Sequence, residues 1–150
     1  MSKKSLRARA LDILSRREIS RIELKRKLSP YAESEEEVEK VLNEFAERNW
    51  QSDQRFTESF IHSKSDRYGT RRLKQALAEK GIDASTAQTF MPDHAKELAT
   101  AKNVLRKKFK QPPADLADKY KHMRFLVYRG FDIDTINQAI KSAWGDEEHE

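Results

Sequence analysis

The side chains best able to do chemistry do not fall at the spacings chemistry needs. His62, His94, His122 and His149 show no metal-ligand spacing, and the chain has no cysteine. That removes thiolate metal sites, disulfides and a thiol nucleophile. Ser63 and Ser65 lie beside His62, but adjacent residues on a helix point in different directions and nothing marks an oxyanion hole. Asp132 and Asp134 begin like a calcium loop, yet its sixth position is Asn137 rather than Gly and its twelfth is Ala143 rather than Glu. Gly69, Gly81, Gly130 and Gly145 build no phosphate-cradling loop. The carboxylates from Glu35 to Glu39 read as a helix first turn, where negative charge is stabilising, rather than as an acid–base pair. The expectation is a protein that is not an enzyme and uses no metal or cofactor.

The residues that recur with a pattern are cations. One constellation is Arg7, Arg9, Arg16, Arg17, Arg21, Lys25, Arg26 and Lys27. A second is Lys64, Arg67, Arg71, Arg72 and Lys74, around Tyr68 and Gly69. A third is Arg106, Lys107, Lys108 and Lys110, with Arg124 and Arg129 after them. Basic clusters neutralise phosphates and release counterions, so the binding they support falls steeply with salt. Tyr68, Tyr120 and Tyr128 are interleaved with them and can stack on unpaired bases; Phe125 is expected in the core instead. Charge alternates along the chain: residues 1–30 carry 10 basic against 3 acidic, and residues 31–60 carry 3 against 9. The acidic helix at 35–47 is expected to face a basic protein partner.

Helices must position these side chains. Of 150 residues, 37% are charged and 37% apolar, with only four glycines and four prolines. So few breakers argue against a fold with many tight turns. No apolar run approaches the length of a membrane span, and the basic N-terminus lacks the pattern of a secretory signal. A cytoplasmic monomer is expected. Ser20 with Glu23 and Ser34 with Glu37 are capping boxes, and Pro30 prevents the first of those helices from continuing. Asp53, Thr70, Asp83, Asp93 and either Asp132 or Asp134 are expected to cap later helices, with Gly81 and Gly130 closing two of them. With helices near 5–17 and 115–129, nine are expected.

The nine fall into three sets of three. A step of 49 carries Leu24 to Leu73, Leu28 to Leu77 and then Leu126, and Gly81 to Gly130. The match is imperfect: Leu73 steps to His122, and the first copy has no glycine at position 32. A unit of this size cannot bury its apolar faces alone, so units stack. The expectation is an all-α, elongated and curved array of three tandem three-helix repeats forming a single domain over 1–150. The repeats span roughly 5–49, 53–91 and 93–144, followed by an acidic tail at 145–150.

Two segments, RNWQSDQRFTESFIHSKSDRYGTRRLKQALAEKGID from Arg48 to Asp83 and KHMRFLVYRGFDIDTINQAI from Lys121 to Ile140, resemble the RecX regulatory proteins of bacterial recombination. RALDILSRREISRIELKRKL near the N-terminus adds to the resemblance, which covers almost the whole chain. It implies an all-helical protein of three tandem three-helix repeats that binds filaments of the RecA recombinase on single-stranded DNA. It also implies restraint of filament extension, ATPase, strand exchange and coprotease activity, with possible direct DNA binding. The candidate contacts are Arg55, Lys64, Tyr68, Arg71, Arg72, Lys74, Arg124, Tyr128 and Arg129. Asp66, ahead of Arg67, departs from the more positive charge often found there in the family. Two other classes fit the same composition: a DNA-binding helical-repeat module that acts without RecA, and an α-solenoid adaptor for another protein.

Overall fold

The computed structural model describes residues 4–145, so most of the expected acidic tail, Asp146 to Glu150, lies outside the described residues. Among those described there are nine α-helices and no strand. They are α1 (Leu6–Arg16), α2 (Arg21–Leu28), α3 (Glu35–Glu47), α4 (Asp53–Lys64), α5 (Thr70–Glu79), α6 (Ala84–Phe90), α7 (His94–Lys108), α8 (Leu116–Tyr128) and α9 (Ile133–Ser142). A single 3-10 turn, Ser29–Tyr31, follows α2. The helices are arranged as tandem sets of three.

The expected register is a register of burial. Leu24, Leu73 and His122 are all buried, as are Leu28, Leu77 and Leu126. The apparent mismatch at His122 is therefore an imidazole at a core position. Gly81 and Gly130 both take positive φ, 77° and 94°, at the ends of α5 and α8. The first set has no residue that adopts this conformation after α2. Its chain leaves through the 3-10 turn, with Pro30 near the start of that turn. Ala84 and Ile133, which also correspond in the register, are both exposed.

Most caps fall as expected. Ser5, Ser20, Ser34, Asp93, Asp115 and Asp132 each accept a backbone N–H three residues on. Two differ. Asp53 is the first residue of α4, and Ser52 caps that helix by accepting from the Arg55 N–H at 3.1 Å. The Asp53 carboxylate instead accepts from the Arg21 N–H at 2.8 Å, capping the start of α2, and from Gln51 Nε2 at 3.0 Å. Thr70 is likewise the first residue of its helix, and its N–H donates to Glu97 of α7 at 2.7 Å. The N-termini of α2 and α5 are thus each met by a carboxylate from a distant part of the sequence, which local spacing does not encode.

The described chain divides into two compact units, one holding residues up to Phe60 with Leu77–Thr89, the other Ile61–Ala76 with residues from Phe90 onward. In the first, Leu6, Ala10, Leu24, Leu28, Val38, Leu42 and Phe45 form the core. In the second, Ala101, Leu105, Leu126, Phe131, Ile136 and Ala139 do, with α7 packed on α9 and α8.

Candidate functional site

Within the second unit the turn from α4 to α5 meets the turn from α8 to α9. The Gly69 N–H donates to the Arg129 carbonyl at 2.8 Å, and the Arg71 N–H donates to the Gly130 carbonyl at 3.0 Å. A Cβ on Gly69 would lie 2.4 Å from the Gly130 oxygen, and one on Gly130 would lie 2.3 Å from the Arg72 Cβ. Only residues without a side chain permit this approach. The crossing places Tyr68, Arg71 and Arg72 beside Tyr128 and Arg129.

The side chains there interleave rings and guanidinium groups. The Arg72 guanidinium carbon lies 4.5 Å from the Tyr68 ring centre and 5.1 Å from that of Tyr128. That of Arg129 lies 5.5 Å from Tyr68 and 5.0 Å from Phe125, and Arg67 adds a third cation 5.6 Å from Tyr68. Each such contact contributes roughly 0.5–1 kcal/mol where solvent reaches it. Arg72 Nη1 also donates to the Tyr128 carbonyl, and Arg129 Nη1 to that of Arg67, both at 3.1 Å. The cluster is thereby held in place while Tyr128 remains 73% exposed.

Most of its cations form no salt bridge. Arg71, Arg72, Lys74, Arg124 and Arg129 make no ion pair among the described residues. Beside them, Asp66 lies 3.5 Å from Arg67. The Asp132 carboxyl is held below the usual range, first by hydrogen bonding to the Thr135 N–H and further by His94 and Arg71. Such a surface combines fixed positive charge with an exposed ring, the pairing that suits phosphates beside unpaired bases or an acidic protein face.

Other expected residues stand elsewhere or play other parts. Arg71, Lys74 and Arg124 are exposed on α5 and α8, and Lys64 is the half-buried last residue of α4. Arg55 belongs to the first unit. Its guanidinium donates to Glu18 at 2.8 Å, to the Asn49 carbonyl at 3.0 Å and to the Trp50 carbonyl at 3.2 Å. It thus ties down the turn into α4, where Asn49 takes a φ of 60°. Phe125, expected in the core, is half-buried and carries Arg129.

Three carboxylates of the acidic helix, Glu35, Glu39 and Glu44, find partners within the chain. Arg7 pairs with Glu44, Arg21 with Glu39, and Lys25 with Glu35 and Glu39. Hydrogen bonding and attraction from Arg7 lower the Glu44 carboxyl, and those from Lys25 outweigh desolvation to lower that of Glu39. The alternation of basic and acidic segments along the sequence is met in part by these pairs.

The two crossing turns lie in recognisable modules. Residues 52–91 match the RecX second three-helix domain, and residues 95–140 match the RecX third three-helix domain. The regulatory protein RecX of Neisseria meningitidis serogroup B is 64% identical over 143 residues, 95% of this chain and 94% of its own. The chain belongs to the RecX family. The regulatory protein RecX of Chromobacterium violaceum is 44% identical over 147 residues, 98% of this chain and 96% of its own. A crystal structure of RecX from Lactobacillus salivarius superposes with a TM-score of 0.82 at 21% identity, covering 92% of this chain and 94% of that one. That likeness shows the shared fold. Regulatory RecX proteins are not an enzyme family. Among the described residues, no helix of this RecX-family chain is long and apolar enough to cross a membrane.

Proposed function

We propose that this chain regulates RecA, engaging the RecA filament on single-stranded DNA and restraining its extension and ATPase, with the Tyr68–Arg72–Tyr128–Arg129 cluster as a principal contact. Membership of the RecX family supports the partner, and the ring-interleaved cations of the cluster, most of them without a salt bridge, support the place. A filament presents phosphate, unpaired bases and repeated protein surface together. Contacts on one chain to several such elements add through effective concentration, so each can be weak. The protein consumes no nucleotide itself and acts as a cytoplasmic monomer made of three tandem units, approximately 5–49, 53–91 and 93–144.

The unpaired cations also suit a DNA-binding module that works without RecA. Comparing affinity for RecA-coated and bare single-stranded DNA separates the two. The regulator binds the coated strand more tightly at matched salt. Equal or weaker binding to the coated strand favours the independent module.

A further inference from the structure

The first unit neutralises most of its cations, but not all of them. Arg7, Arg21, Lys25, Arg48, Arg55 and Lys80 each face a carboxylate. Of those without an ion pair, Arg9, Arg16 and Lys27 line one groove formed by α1, α2 and the Ser29–Tyr31 turn, together with Lys4, Asp12 and Tyr31, while Arg17, Arg26 and Lys40 lie outside it. Its single carboxylate, Asp12, is paired with Lys4, whose hydrogen bond and charge lower its pKa, with smaller contributions from Arg16 and Arg9. Arg9, Arg16 and Lys27 make no ion pair among the described residues. The Arg9 guanidinium lies 3.7 Å from the centre of the Tyr31 ring, and its buried Nε has no hydrogen-bond partner. Tyr31 stays 57% exposed.

We infer that this groove is a second anion site, one that binds the phosphodiester backbone of a single-stranded nucleic acid. Three cations converge around one carboxylate, Asp12, which Lys4 already pairs, and one of the three holds a buried donor that lacks an acceptor. A buried N–H of this kind costs free energy until an acceptor reaches it, and a phosphate oxygen is the acceptor that the surrounding charge selects. The Arg9 guanidinium sits over the Tyr31 ring, which restricts its fork before a ligand arrives. The ring beside it offers apolar surface to a base attached to the bound phosphate. The inference deepens the nucleic-acid side of the proposed function but does not depend on RecA.

The test is anisotropy of a labelled oligothymidylate across a salt series, without RecA, using the full chain. Arg16→Gln/Lys27→Gln removes two exposed charges, leaves the Arg9–Tyr31 stack in place, and is checked for unchanged thermal unfolding. The slope of log affinity against log salt should become shallower by about 1.4, since each phosphate contact on a single strand contributes about 0.7. Affinity at low salt should fall on the order of tenfold. The charge-keeping swap Arg16→Lys/Lys27→Arg should restore both. An unchanged slope and affinity in the Gln variant would overturn the site. If inorganic phosphate at matched ionic strength raised the melting temperature of the native chain but not of the variant, while oligonucleotide binding stayed equal, the groove would be a free-phosphate site and the strand assignment would fall. Neither result would bear on RecA inhibition, which is measured separately.

Discussion

Gly69 and Gly130 touch backbone to backbone, and the contact joins the turns that carry both segments most like the RecX family. A methyl group on Gly69 would meet the Gly130 carbonyl oxygen at 2.4 Å, against backbone that cannot swing aside. Gly69→Ala should therefore destabilise by about 1–3 kcal/mol, the usual penalty of overpacking. Gly130→Ala should cost at least as much, since its φ of 94° adds strain. Urea unfolding monitored by circular dichroism measures both, and a native-like midpoint for either would contradict the crossing.

Asp53 caps a helix other than its own. Asp53→Ala removes the acceptor for the Arg21 N–H and for Gln51 Nε2, so a loss of about 1–2 kcal/mol is expected. Ser52→Ala, which removes the cap of α4 itself, should cost roughly 1 kcal/mol. Amide exchange distinguishes the two, because Asp53→Ala should lower protection at the start of α2 and Ser52→Ala at the start of α4.

His122 makes stability depend on acidity. Its ring stacks on Phe109 at 4.0 Å and lies 5.4 Å from Trp144, and Nδ1 is buried without a hydrogen-bond partner. Burial lowers its pKa; Asp118 works against this and Lys121 with it. The folded state thus binds a proton less readily than the unfolded chain. The histidine has no effect on stability well above the unfolded pKa of about 6.5. Stability is lost as pH falls from there through the folded value. His122→Leu, which places the residue of the other two copies in this register, should flatten that loss. Thermal unfolding at a series of pH values between neutral and mildly acid tests this; an equal loss in the variant would locate the proton elsewhere.

Arg72 joins two rings through a planar group. Arg72→Lys keeps the charge but loses the fork that donates to the Tyr128 carbonyl and lies against Tyr68 and Tyr128. It should destabilise by less than about 1 kcal/mol while weakening RecA inhibition severalfold. Unfolding and inhibition measured on the same preparation would show the split, and inhibition equal to that of the native chain would mean that charge alone suffices at this position.

Much of this arrangement was legible in the sequence, for a physical reason. Helix starts are signalled by Ser, Asp and Glu within four residues of each other, and the repeat by leucines that must be buried in every copy. The contacts that escaped are those made across long separations. Nothing local announces that Glu97 meets the start of α5, or that Asp53 serves α2. The cluster at Tyr68 and Tyr128 was foreshadowed by its motifs, but its members are 60 residues apart and the glycine crossing that unites them belongs to the fold. Charge along the sequence does not separate two uses. Among the cations of α1 and α2, Arg7, Arg21 and Lys25 answer the glutamates of α3, while Arg9, Arg16 and Lys27 line a groove.

The most direct measurement is RecA-catalysed ATP hydrolysis on single-stranded DNA, titrated with the native chain and with Arg72→Gln/Tyr128→Ala at two salt concentrations. The native chain should suppress hydrolysis at amounts well below one per RecA, and the variant, folded and equally helical, should need on the order of tenfold more for the same effect, as expected when one arginine and one ring leave a contact. Full hydrolysis in the presence of excess native chain, or equal suppression by the variant, would contradict the proposed role of the cluster.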